Sequence, residues 1–104
     1  MNALHHEDMI VIDGCQYSNW DRELFEELRA GGLTAVMATV VYWEDARQTL
    51  SLIGAWHQRF RHNADIIMPA DSAEAITKAK AEGKTAILLA LQNASPIEND
   101  ISLV

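Results

Sequence analysis

The stretch that decides the fold is Gly31-Gly32-Leu33-Thr34-Ala35-Val36-Met37-Ala38-Thr39-Val40-Val41-Tyr42-Trp43. From Leu33 to Val41 it is rich in β-branched residues and apolar at odd and even positions alike. A strand with one wet face alternates, whereas a strand apolar on both faces is buried on both, as central strands of parallel sheets are. Gly31 and Gly32 before it supply the positive-φ residues that end a helix. The run therefore reads as a central parallel strand entered from a helix and ending in Tyr42, Trp43, Glu44 and Asp45.

Two further runs match it. Met9 to Asp13 is a short apolar strand that runs into Asp13-Gly14, and Thr85 to Leu91 is apolar on both faces. Helices fill the intervals. One is read over Trp20 to Ala30, capped by Ser18 or Asn19, with Trp20, Leu24 and Leu28 on one face. A long one covers Asp45 to His62, with Ala46, Leu50, Ile53, Trp56 and Phe60 as its buried stripe and Arg47, Arg59 and Arg61 toward water. Asp65 to Met68 is a short strand or a connector. Asp71 then caps a helix to about Glu82, with Glu74 as its capping-box partner and Gly83 as its stop. Ser95, Pro96 and Glu98 carry the N-terminal signature of one more helix. Met1 to Asp8 reads as a flexible lead-in. Its His5, His6, Glu7 and Asp8 form a solvated terminus rather than a metal site, which needs orienting partners behind the ligands.

This alternation is an α/β fold of parallel strands joined by helices. At 104 residues the chain is one domain or part of one, and a closed (β/α)8 TIM-type barrel takes roughly 250 residues. The expectation is a single, incomplete (β/α) domain over 1–104, the first part of such a barrel. The alternative is a small three-layer sheet complete in itself. Open sheet edges point to self-association as the way it would cover them.

Composition excludes several function classes. The net charge is −7, the wrong sign for nucleic acid or an anionic membrane surface. No apolar run approaches the roughly 18 residues of a membrane helix. Cys15 is the only cysteine, so no disulfide forms within the chain, and a cytoplasmic setting is the simplest reading.

If the strands are adjacent and parallel, their C-terminal ends bring together Asp13, Cys15, Gln16 and Tyr17, then Tyr42, Trp43 and Glu44, then Gln92 and Asn93. Active sites of barrels are built on that face. Cys15 also reads as a small buried hydrophobe, Asp13 as the side chain of an Asx turn, and Tyr17 and Tyr42 as pocket walls. Gln92 and Asn93 either bond neighbouring loops or contact a substrate amide.

Three stretches carry a resemblance. Ile10-Val11-Ile12-Asp13-Gly14, Leu28-Arg29-Ala30-Gly31-Gly32-Leu33-Thr34, and Lys84 to Leu91 followed by Glu98-Asn99-Asp100-Ile101 together resemble the N-terminal portion of the membrane (renal) dipeptidases. These are zinc metallopeptidases with a (β/α)8 barrel. Gln16 to Arg22 looks like a divergent bacterial branch of that family. The resemblance implies hydrolysis of a small peptide-like substrate by metal-activated water. Cys15, Tyr17 and Gln92 stand at the family's ligand positions, where it has His, Asp and a Glu that bridges two zinc ions. Its other ligands are histidines on later strands. Gln92 lacks the bridging charge, and a phenol such as Tyr17 ionises only near pH 10. A segment with these replacements is expected to bind zinc weakly or not at all and to be inactive alone. Asp13, Tyr17, Tyr42 and Asn93 are then the substrate-facing residues. The alternative function on the same scaffold is a non-catalytic binding or structural module.

Overall fold

The computed structural model describes residues 3–104. Four parallel strands lie in the order β1-β2-β4-β3: β1 is Ile12–Gln16, β2 Ala35–Val41, β3 Ile67–Pro69 and β4 Thr85–Leu91. Helices α1 (Arg22–Ala30), α2 (Ala46–His62) and α3 (Ala73–Glu82) connect them. The α/β class and the alternation are as the sequence implies, and this is the arrangement of part of a TIM-type barrel. Strand neighbours are not simply consecutive, however. The short segment read as strand or connector is a strand, and it pairs with the lower half of β4, Ile67 opposite Thr85 and Pro69 opposite Ile87. The two long runs β2 and β4 are therefore direct neighbours.

Residues opposite each other on parallel strands share a face. Val36 opposes Ile87 and Ala38 opposes Leu89. These residues pack with Phe25 and Leu28 of α1 and with Trp56 and Phe60 of α2. Ala35 opposes Ala86 on the other face, and there Ala79 and Ile76 of α3 close over the strand N-termini. Three small residues let that helix come near the sheet. Further along the second face nothing comparable covers Met37, which is 37% exposed, or Ile12, which is 52% exposed.

Two buried threonines fasten the strand starts. Thr34 Oγ1 accepts from Val11 N–H at 3.1 Å, and Thr85 Oγ1 donates to Leu33 O at 3.0 Å. Each hydroxyl is satisfied across the sheet, as buried polar groups must be.

Several boundaries differ from those read in the sequence. The first strand is Ile12–Gln16 rather than Met9 to Asp13, and it is not apolar and buried throughout. β1 has β2 as a neighbour on one side only, so Met9, Ile10 and Ile12 remain exposed. Its pairing also shifts register between Asp13 and Gln16, which carries the strand past the Asp-Gly taken as its end. The cap of α1 is Asp21, whose carboxylate accepts from Leu24 N–H at 2.9 Å, rather than Ser18 or Asn19. Phe25, fully buried, leads its apolar face. Asp45 and Gln48 form a reciprocal capping box on α2. The buried residues of that helix are Thr49, Trp56 and Phe60, whereas Leu50 is exposed. Arg59 does not face water: its guanidinium lies 5.0 Å from the Trp56 ring and donates to Trp20 O. Ser72, not Asp71, caps α3, and Gly83 ends it in the left-handed conformation.

The largest departure follows β4. The helix marked by Ser95, Pro96 and Glu98 is a single 3-10 turn, Ser95–Ile97, with a second at Ile101–Leu103. Glu98 has φ 56°, a value a right-handed helix cannot contain. The N-cap position of the first turn is Ala94, not Ser95, and it makes no side-chain cap bond; Ser95 N–H is instead taken by Asn93 Oδ1. The lead-in also differs where it is described. His6–Asp8 forms a 3-10 turn docked through His6 Nε2, 2.8 Å from Gly31 O. Met1 and Asn2 of that segment lie outside the described residues.

Candidate functional site at the strand ends

β1, β2 and β4 are adjacent and parallel, so their C-terminal ends meet. Cys15 on β1, Thr39 on β2 and Gln92 just past β4 form one small network. Cys15 Sγ and Thr39 Oγ1 are 3.1 Å apart, and Gln92 Nε2 donates to Thr39 Oγ1 at 3.2 Å and to Cys15 Sγ at 3.5 Å. Two of the three were singled out from sequence. Thr39 was read only as a β-branched strand former, although a hydroxyl so near the end of an otherwise apolar run is a usable signal. Asp13 makes the Asx turn: its Oδ1 accepts from Cys15 N–H at 3.3 Å.

A second set forms the rim. The rings of Tyr17 and Tyr42 meet edge to face with centroids 5.0 Å apart, a favoured geometry for aromatic pairs. Tyr42 is held by its loop. Glu44 Oε2 accepts from the N–H groups of Tyr42 at 2.7 Å and Trp43 at 3.0 Å. The N–H groups of Glu44 itself, Tyr42 and Trp43 hold the Glu44 carboxyl below the ordinary carboxylate range. Asn93 Nδ2 donates to Tyr42 O while its Oδ1 takes the Ser95 N–H. Both polar ends of Asn93 are thus spent on fixing loops, which makes it a positioning residue for Tyr42.

The donor chemistry does not fit zinc. The Cys15 sulfur is occupied by a hydroxyl and an amide, Gln92 presents N–H rather than oxygen to it, and the nearby Asp13 carboxylate is engaged in its own turn. Among the described residues, no group of three or more His, Cys, Asp and Glu side chains is assembled to hold a metal ion. Hydrophobic, hydroxyl and amide groups make this end of the sheet a neutral hydrogen-bonding floor with an aromatic, acidic rim. No described helix is long and apolar enough to cross a membrane.

No family model and no curated protein matches the chain. Among solved structures, an amidohydrolase from Pseudomonas aeruginosa superposes with a TM-score of 0.91. The chain is similar to that amidohydrolase. Identity is 46% over 93% of this chain, which spans 30% of the amidohydrolase chain. At that identity the likeness supports a hydrolase relationship as well as a shared fold.

Proposed function

We propose that the chain is the N-terminal portion of a dipeptidase-like amidohydrolase and forms one wall of its substrate pocket. The observation that carries this reading is the meeting of Cys15, Thr39 and Gln92 with Tyr17 and Tyr42 at the C-terminal ends of three parallel strands, where α/β barrels place their sites. The similarity to an amidohydrolase supports the reaction class, hydrolysis of a peptide or amide bond. In this reading the chain's own residues bind and orient. The Gln92 side chain meets the substrate amide, Tyr17 and Tyr42 exclude water from one side, and Asn93 and Glu44 hold the Tyr42 loop. The groups that activate water lie on other strands of the whole protein.

The experiment is dipeptide hydrolysis, with added Zn²⁺, by this chain and by a longer polypeptide that supplies further β/α units. Turnover by the longer protein alone is the expected result, and turnover by the 104-residue chain overturns the assignment. A second reading, a binding module without catalysis, is favoured by one observation: Cys15, Thr39 and Gln92 satisfy one another in a closed neutral network. Stoichiometric zinc together with turnover in the longer protein sinks that second reading.

A further inference from the structure

Thr39 Oγ1 and Cys15 Sγ stand 3.1 Å apart at the ends of β2 and β1, and both accept from one group, Gln92 Nε2, at 3.2 Å and 3.5 Å. The nitrogen end of the Gln92 carboxamide is therefore turned onto the sheet. Thr39 is only 3% exposed, so this anchor sits in the body of the fold, whereas Gln92 itself is exposed. A carboxamide carries its oxygen on the side of its carbon away from the nitrogen. Gln92 Oε1 thus faces away from Thr39 and Cys15, and it has no hydrogen-bond partner among the described residues. The backbone at this point is fixed as well: Gln92 N–H donates to Val41 O at 3.0 Å, and the Asn93 side chain donates to Tyr42 O.

We propose that Gln92 Oε1 is the substrate-recognising atom of this floor and that Thr39 is the positioning residue that aims it, so that the site selects amides with a free N–H over N-alkylated ones. This selectivity rests on the strand-end face being the substrate pocket. A free amide N–H meets Oε1 as donor to acceptor. A tertiary amide brings only its carbonyl, oxygen against oxygen, and covers Oε1 without giving it a partner, which costs the desolvation of an unpaired polar group. The Gln92 side chain is held before the ligand arrives, so less rotamer freedom is lost on binding.

The test is nuclear magnetic resonance on the 104-residue chain, read at the glutamine side-chain amides. Without ligand, the Gln92 carboxamide protons are expected to exchange more slowly than those of exposed Gln58. Thr39→Val shifts the Gln92 resonance and speeds its exchange, and Thr39→Ser, which keeps the hydroxyl, restores both. Cys15→Ala removes the other acceptor and shifts the same resonance. A Gln92 amide that neither Thr39→Val nor Cys15→Ala moves overturns the orientation. The ligand arm compares 3-phenyl-N-methylpropanamide with 3-phenyl-N,N-dimethylpropanamide, whose shared phenyl ring suits the Tyr17–Tyr42 rim. Saturable shifts at Gln92 are expected, with the secondary amide binding roughly three- to tenfold more tightly, as one hydrogen bond supplies. Thr39→Val abolishes that preference and Thr39→Ser keeps it. Equal binding of the two amides, or tighter binding of the tertiary one, overturns the proposal and leaves the pocket reading standing. Silence at Gln92 and at both tyrosine rings with either amide overturns the pocket reading as well.

Discussion

Thr39 sets a hydroxyl between a sulfur and an amide at the end of the central strand, and its loss is a clean single-atom experiment. Thr39→Val keeps the shape and removes the group that bonds both Cys15 and Gln92. The variant is expected to lose about 1 kcal/mol of stability, a typical net value for one hydrogen-bonding group, read as a lower midpoint with an unchanged slope in urea. Glu44 gives a pH-dependent counterpart. Its folded carboxyl is held below the ordinary range, so the stability it contributes is present above its unfolded pKa and is lost as pH falls through the folded value. Glu44→Gln should therefore melt below the parent at pH 7, and the gap should close on acidification below about pH 4. A gap that widens with acid contradicts the role assigned to the carboxylate. At this scale the sequence showed which side chains stand at the strand ends. It did not show which of them consume one another. Asn93 was read as bonding neighbouring loops or contacting a substrate amide; the structure shows the loop bonds, to Tyr42 O and from Ser95 N–H, whose partners could not be named beforehand because hydrogen bonds across a sheet have no signature in either strand alone.

Elements were legible where periodicity or glycine defines them. β2 and β4 announced themselves by being apolar on both faces, and Gly83 ended α3 in the left-handed conformation that glycine favours. Local signals misled where tertiary contacts intervened. The Ser95-Pro96 signature promised a helix, but the Asn93 bond and the positive φ of Glu98 leave one 3-10 turn. Arg59 looked solvated until α2 brought it over Trp56. Two substitutions test the element joints. Asp45→Ala removes the side-chain half of the capping box on α2, the Asp45 carboxylate that accepts from Gln48 N–H, and is expected to cost about 1 kcal/mol, measured by chemical denaturation. Gly32 has φ 79°, and a Cβ there would lie 2.6 Å from His6 Nε2. Gly32→Ala is thus strained twice, by backbone and by the docked imidazole, and should cost roughly 1–2 kcal/mol. Combining it with His6→Ala should recover the steric part and leave the backbone part. A double variant no more stable than Gly32→Ala refutes that division.

The whole molecule has one finished face and one half-finished. Aromatic side chains of α1 and α2 close the first, while α3 closes the second only over the strand starts. Sequence patterning revealed strands buried on both sides without revealing what lies on each side. It also left open that β3 would flank β4, since strand order depends on crossover paths rather than on any one segment. The consequence appears at β1, which has a single neighbour; Ile12 in it and Met9 and Ile10 just before it are exposed. An unpaired edge offers a row of N–H and C=O groups, and apolar side chains beside it favour pairing with another edge. The net charge of −7 opposes that approach, and salt screens the opposition. The chain is therefore expected to self-associate with rising concentration, more strongly in 0.5 M than in about 0.05 M sodium chloride, as followed by sedimentation velocity. Ile10→Lys and Ile12→Lys together should keep it monomeric, because lysines on an edge are the usual protection against pairing. A monomer at every concentration and salt, with β1 amides as slow to exchange as those of β2 and β4, would show that the β1 edge needs no cover.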